Sequence, residues 1–183
     1  GTDVRQVVYL GGIANADRLS RHLASRRNVE TILRESGLVV TAIRAGIIVG
    51  SGSASFEIIR DLVEKLPVMV TPRWLNTRSQ PIGIRDVLQY LVGVQLREET
   101  FNRSFDIGGP EVLTYEELLR LFAEVACLER TQVVVPLVPV QVVGEAVALL
   151  SGIPRTTVKA LIESLSYDMV CQEQSVRRTL ARG

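Results

Sequence analysis

Residues 20–52, SRHLASRRNVETILRESGLVVTAIRAGIIVGSG, constrain the fold of this chain more than any other stretch. Ser20 is a good helix N-cap, Leu23, Ile32 and Leu33 stand near helical spacing, and Gly37 supplies a stop, so the pattern predicts a helix ending near Ser36. The following run, LVVTAIRAGIIVG, is dense in Val and Ile and carries one charge, Arg44. That is the composition of a strand buried on both faces of a sheet. Ahead of the helix stands VRQVVYLGG, a strand ending in Gly11 and Gly12. Strand, helix and strand in this order make a βαβ unit, which places the chain in the α/β class with a mostly parallel sheet.

His22 and Arg26 stand four residues apart near the start of the helix and so share one face, and Glu30 continues the row. A neutral-range imidazole beside a permanent guanidinium can handle a proton and hold an anionic group. The alternative is a solvated row in which Arg26 pairs with Glu30. Spacing leaves both readings open.

Downstream, GSGSAS at residues 50–55 lacks a P-loop lysine and reads as a connection into the helix Phe56–Leu66, stopped by Pro67. VMVTP is a short strand. The loop PRWLNTRSQPI then gathers Trp74, Arg78 and Gln80, either as substrate contacts or as a Trp anchor with solvated polar neighbours. Asp86 suits the start of the helix DVLQYLVGVQL, and Thr114 with Glu117 forms a capping box before LLRLFAEV. Beyond Thr131 a strand, VVVPLVP, precedes the expected helices VQVVGEAVALL, TVKALIESL and CQEQSVRRTL. This last part is rich in Val and Leu with few convergent polar groups, which fits a small apolar substrate, a protein partner or a second copy of the chain.

Composition excludes several classes. With 46% hydrophobic and 22% charged residues over 183 positions, the chain can bury a core and is not a disordered sequence. A net charge of +1 gives no general case for nucleic acid, so Arg18, Arg21, Arg26 and Arg27 read as a solvated face or a contact for cofactor phosphate. Cys127 and Cys171 have no metal-ligand spacing, predict no metal site, and read as reduced residues of a cytoplasmic protein. The apolar stretch from Val133 to Leu150 contains Pro136, Pro139, Gln141 and Glu145, so a strand and a helix are expected there and not a membrane span.

Four segments, in order, resemble the extended or atypical short-chain dehydrogenase/reductases of the Rossmann superfamily. His22-Leu-Ala-Ser-Arg26, with Glu30 four further on, stands in the register of that family's Tyr-x-x-x-Lys helix. Arg44-Ala45-Gly46-Ile47-Ile48-Val49-Gly50 resembles its Arg-Pro-Gly-x-Val-x-Gly strand. QPIGIRDVLQYLV and FDIGGPEVLTYEELL resemble two later elements. The whole is most similar to the NAD-dependent epimerase/dehydratase and NmrA-like branch.

The resemblance implies the later part of a Rossmann-like NAD(P)-binding domain over residues 1–130, with substrate-lobe segments interleaved, and a mainly helical lobe over 131–183. It implies NAD or NADP along Ala45, Gly46, Ile47 and Ile48, with Gly11 and Gly12 in the place of the family's Ser/Thr. Arg26 then lies near the ribose, His22 handles the proton, and Trp74, Arg78 and Gln80 face the substrate. The departures are His for Tyr and Arg for Lys, and the Gly-x-Gly-x-x-Gly fingerprint occurs nowhere in the sequence. A complete member carries roughly a hundred residues ahead of this point with that loop, so the chain reads as an incomplete Rossmann-like sheet, open to pairing at its edge. Two functions stay open: an oxidoreductase or epimerase-like enzyme, and a dinucleotide-binding regulator or assembly subunit without turnover.

Overall fold

The structure, a computed structural model, describes residues 3–14, 20–136 and 138–172. β1 (Val7–Gly12) leads through α1 (Arg21–Glu35) into β2 (Val40–Ala45), the expected βαβ unit. A short β3 (Ile48–Val49) precedes α2 (Ala54–Lys65), β4 (Val68–Pro72), β5 (Arg78–Ser79), β6 (Ile82–Gly83) and α3 (Ile84–Gly93). The chain returns through β7 (Ser104–Ile107), β8 (Leu113–Thr114), α4 (Tyr115–Val125), β9 (Thr131–Val135), α5 (Val140–Ser151) and α6 (Arg155–Ser164).

β2 is the centre of a parallel three-stranded sheet. Val7 to Gly12 of β1 pair with Val40 to Ala45 on one side, and Ser104 to Ile107 of β7 pair with Ala42 to Ala45 on the other. Val40, Thr41, Ala42 and Ile43 are fully buried, the reason this strand reads as a continuous apolar run rather than an alternation. Ile43, Phe105 and Ile107 pack with Val87 of α3 and with Val94 to form one core. Among the described residues the outer edge of β1 pairs with no strand, as expected of an open sheet. α3 turns Leu88 and Val92 to solvent.

Helix ends follow the capping chemistry. The Ser20 hydroxyl accepts from the Leu23 amide at 3.2 Å, Ser36 is the C-cap of α1, and Gly37 takes φ 78°, the left-handed turn that favours glycine. Ile32, placed on the apolar face by its spacing, is 64% exposed; α1 instead buries Leu23 and Glu30. α2 starts two residues before Phe56 because the Ser53 hydroxyl caps it. Asp86 lies in the first turn of α3 but no side chain caps that helix, whose N-cap is Gly83, so Asp86 contributes only its charge. The Thr114–Glu117 capping box forms in both directions.

The segment after Thr131 packs into the rest of the molecule. β9 pairs parallel with β4, α5 lies on α2, and α6 touches both α5 and α1. Val147, Ala148, Val158 and Ile162 join Ile58 of α2 in a second core. The stretch from Val133 to Leu150 is split between β9 and α5, and no described helix is long and apolar enough to cross a membrane. Cys171 and Gln172 are not helical, and the remainder of the expected helix CQEQSVRRTL lies outside the described residues. Gly108 and Gly109 let the 80–82 segment lie against the end of β7, since a Cβ on either would collide with the Gln80 side chain or the Pro81 carbonyl.

Candidate functional site

β1 and β2 end side by side at Gly12 and Ala45, and beyond these ends opens a cavity of about 700 Å³. Its floor is Leu10 to Gly12 and Ala45 to Ile48. One wall is His22, Leu23 and Arg26 of α1, and the other sides are the 50–55 loop and Thr156, Thr157, Ala160 and Ser164 of α6. All seven residues expected to touch the cofactor and both expected catalytic residues therefore line one cavity. α6 is held over it in part by a hydrogen bond between the Ser20 and Ser164 hydroxyls, 2.8 Å.

Arg26 crosses the strand ends. Its Nε donates to His22 Nε2 at 3.2 Å and its Nη1 to the Leu10 carbonyl at 3.4 Å, while the Tyr9 hydroxyl donates to the Arg26 carbonyl at 3.1 Å. Gly12 leaves the room for this: an added Cβ would lie 3.1 Å from Leu23 and 3.5 Å from Arg26 Cδ. At Gly46 an added Cβ would press on the Met169 carbonyl at 3.2 Å. Because Nε2 accepts, the neutral imidazole carries its proton on Nδ1. Burial, and then the Arg26 charge, holds the His22 pKa below its ordinary 6.5. His22 is therefore neutral at pH 7, an acceptor and a base.

Glu30 does not pair with Arg26. Its carboxylate takes a forked pair of bonds from Arg44, 2.9 and 2.8 Å, one from the Ser104 hydroxyl at 2.6 Å and one from Arg34 at 3.3 Å. Burial alone would raise the Glu30 pKa; the hydrogen bonds from Arg44 and Ser104 and the charges of Arg44 and Arg34 outweigh it and leave the pKa below the ordinary carboxylate value. This buried carboxylate fastens α1 to β2 and β7.

The expected substrate contacts are elsewhere. Arg78 pairs with Asp168 through bonds of 3.0 and 2.8 Å, and its backbone amide also donates to that carboxylate at 2.7 Å. Gln80 is buried; it donates to the Gly109 carbonyl at 2.6 Å and accepts from the Cys171 amide at 3.2 Å. Both stitch the 78–82 segment to residues 168–172, and neither lines the cavity. The Trp74 side chain lies outside what the structure describes. The sequence reading missed Thr156, Thr157 and Ser164, whose one visible signal is a run of small and hydroxyl residues along α6. Among the described residues there is no group of three or more side chains suited to a metal ion.

No protein-family model and no curated protein matches the chain. Solved structures do. A nucleoside-diphosphate-sugar epimerase from Staphylococcus aureus is 16% identical, with TM-score 0.66 over 98% of this chain and 61% of its own. The triphenylmethane reductase of a Citrobacter species, complexed with NADP(H), is 14% identical, with TM-score 0.71 over 97% of this chain and 61% of its own. This chain has their Rossmann-like fold. An NADPH-dependent quinone oxidoreductase from Escherichia coli is also similar, at 13% identity and TM-score 0.67 over 96% of this chain and 68% of its own. The chain thus spans about three fifths of the first two structures, and identities this low speak for the fold alone.

Proposed function

We propose that this chain forms the nicotinamide end of an NAD(P)-dependent oxidoreductase or epimerase-like site. The observation that carries the reading is the Arg26–His22 hydrogen bond at the wall of a cavity floored by bare backbone, where two parallel strands end. Ligands of open parallel α/β sheets bind in the crevice outside the carboxyl ends of the strands. The cofactors named for the similar reductases support NAD or NADP. The fit is to the nicotinamide and its ribose: Gly12 keeps the floor low beside Arg26, and Arg26 offers a guanidinium to the ribose hydroxyls. The sequence holds no glycine-rich pyrophosphate loop.

When bound, a nicotinamide supplies hydride chemistry. His22 would move the accompanying proton at Nε2, exchanging its bond from Arg26 for one with a substrate oxygen. Its lowered pKa makes it a base at pH 7, suited to taking a proton from a hydroxyl. In the reductive direction it would act as an acid only as pH falls through that lowered value. The site would work in the cytoplasm, where Cys127 and Cys171, which form no disulfide, stay reduced.

The same bond supports a second reading, a dinucleotide-binding regulator without turnover, because His22 Nε2 is already engaged by Arg26. Turnover separates the two. Oxidation of NADPH with a carbonyl or quinone acceptor, lost in His22→Ala, supports the enzyme. Tight NADPH binding without turnover over a broad acceptor panel, unchanged in His22→Ala, supports the regulator. Absence of any NAD(P)H binding by the natural polypeptide overturns both.

A further inference from the structure

A second, smaller cavity of about 70 Å³ lies among α2, α4, α5 and α6. It shares Ile47, Ser55, Leu161 and Leu165 with the first, so the two adjoin. It sits where two cores meet without closing. Ile59, Leu75 and Leu119 come from a core that takes in α4, and Ile58, Val147 and Ile162 from the core of α2, α5 and α6.

Among the described residues the wall of this chamber is hydrocarbon except at Ser55 and Tyr115. Ser55 is one of the four shared residues and so stands where the two cavities join. Tyr115 lends its ring; its hydroxyl stands against that of Ser79, which lines neither cavity. A water molecule needs two to four polar partners, and the deeper wall offers none. A charged or sugar-like group would lose its hydration there without replacement. A hydrocarbon group instead gains the contacts that the two cores leave unmade. The larger cavity has the opposite character on its α1 and α6 sides, with His22, Arg26, Thr156 and Thr157.

Resting on the reading of the larger cavity given above, we propose that the chamber takes an unbranched alkyl arm of an uncharged alcohol whose hydroxyl stays in the larger cavity. An apolar cavity of about 150 Å³ admits benzene, so this one, about half as large, suits a chain of about three or four carbons and not a ring. The residues around it then set specificity by length. They disfavour sugar-like substrates and favour alkyl ones.

The test is a chain-length profile. The alcohols from 2-butanol to 2-octanol are bound in turn to the natural polypeptide and followed by ligand-observed NMR. Binding is expected to tighten about fourfold for each methylene that enters the chamber, the gain on taking one such group out of water, and then to level off once it is full. Leu62 lines the chamber from a partly buried position on α2. Leu62→Phe is expected to bring the levelling forward by about two carbons and Leu62→Ala to delay it by about two, with 2-butanol bound within about twofold of the unaltered protein in both. Opposite shifts from one position are not what a general loss of stability produces, and either variant alone decides if the other does not fold. A profile without a levelling point in the unaltered protein, or a levelling point that the folded variants leave unmoved, overturns the proposal and marks the chamber as a packing void only. NADPH affinity is measured in parallel on the same samples. A levelling point that the variants move, without NADPH binding, keeps the chamber and removes the nucleotide reading, whereas NADPH binding without such a point removes the chamber alone.

Discussion

His22, Arg26, Glu30 and Arg34 form one row along α1, four residues apart, and the row divides into two halves with opposite characters. Glu30 and Arg34 are locked: their charged groups meet Arg44, Ser104 and the Asn102 carbonyl, with every contact at 3.3 Å or less. All but one of those contacts are 2.9 Å or shorter, whereas Arg26 reaches His22 at 3.2 Å and the Leu10 carbonyl at 3.4 Å, and both side chains border an open cavity. One end of the helix is a clamp and the other a presented site. The clamp fixes the position of α1 over β2, and that position is what brings His22 to the ends of the strands. A site held only by its own exposed pair would drift; one fastened two turns away does not.

Variants at the two ends should separate accordingly. The largest effect is expected from His22→Ala, about 10²- to 10⁴-fold in NADP+-dependent oxidation of a hydroxyl substrate at pH 7 for loss of a general base, with stability altered by less than about 0.5 kcal/mol. Steady-state rates and thermal melts on one sample check it. A melt that falls steeply would make His22 part of the clamp and erase the division. Next comes Glu30→Gln, which leaves Arg44 and Arg34 facing a neutral amide. A fully buried pair would cost about 3–5 kcal/mol; because both arginines are about a third exposed, about 2–3 kcal/mol is expected, or roughly 5–10 °C in Tm.

A smaller effect is that of pH. Both groups have folded pKa values below their unfolded ones, so the unfolded chain binds more protons and stability falls as pH is lowered. The His22 contribution is fully present above pH 6.5 and is lost below it, down through the lowered pKa. The Glu30 contribution holds to about its ordinary 4.5 and is lost only below that. Melting temperature against pH should therefore show two steps, and His22→Gln should remove the upper one alone. The smallest effect is expected from Arg78→Ala, about 0.2–1 kcal/mol, because its pair with Asp168 is largely in solvent. Chemical denaturation checks it, and an unchanged NADPH affinity in that variant would agree with its place outside the cavity.

The two halves also differ in how far the sequence alone could disclose them. Caps at Ser20 and Thr114, the glycines that end β1 and the apolar run of β2 are local signals, and each led to the right element. That His22 and Arg26 share one face at the start of α1 was legible from their helical spacing, and the structure puts both on the cavity wall. The partners of Glu30 were not: Arg44 stands fourteen residues away on a strand, and only the packing of α1 over β2 decides that it, and not Arg26, takes the carboxylate. Arg78 and Gln80 misdirect for a related reason. A polar side chain that satisfies distant backbone looks, in sequence, like one that awaits a ligand. The share of α6 in the cavity, and the small apolar chamber, arise from contacts between segments far apart in the chain.

The most direct measurement uses His22, the single histidine of this chain, with its imidazole signal assigned by its loss in His22→Gln. Its NMR titration is followed in the natural polypeptide with and without saturating NADPH. The account predicts a midpoint below 6.5 in the free protein and a clear displacement of the resonance when the nucleotide binds. A midpoint at or above 6.5, together with a resonance that saturating NADPH leaves unmoved, would contradict it.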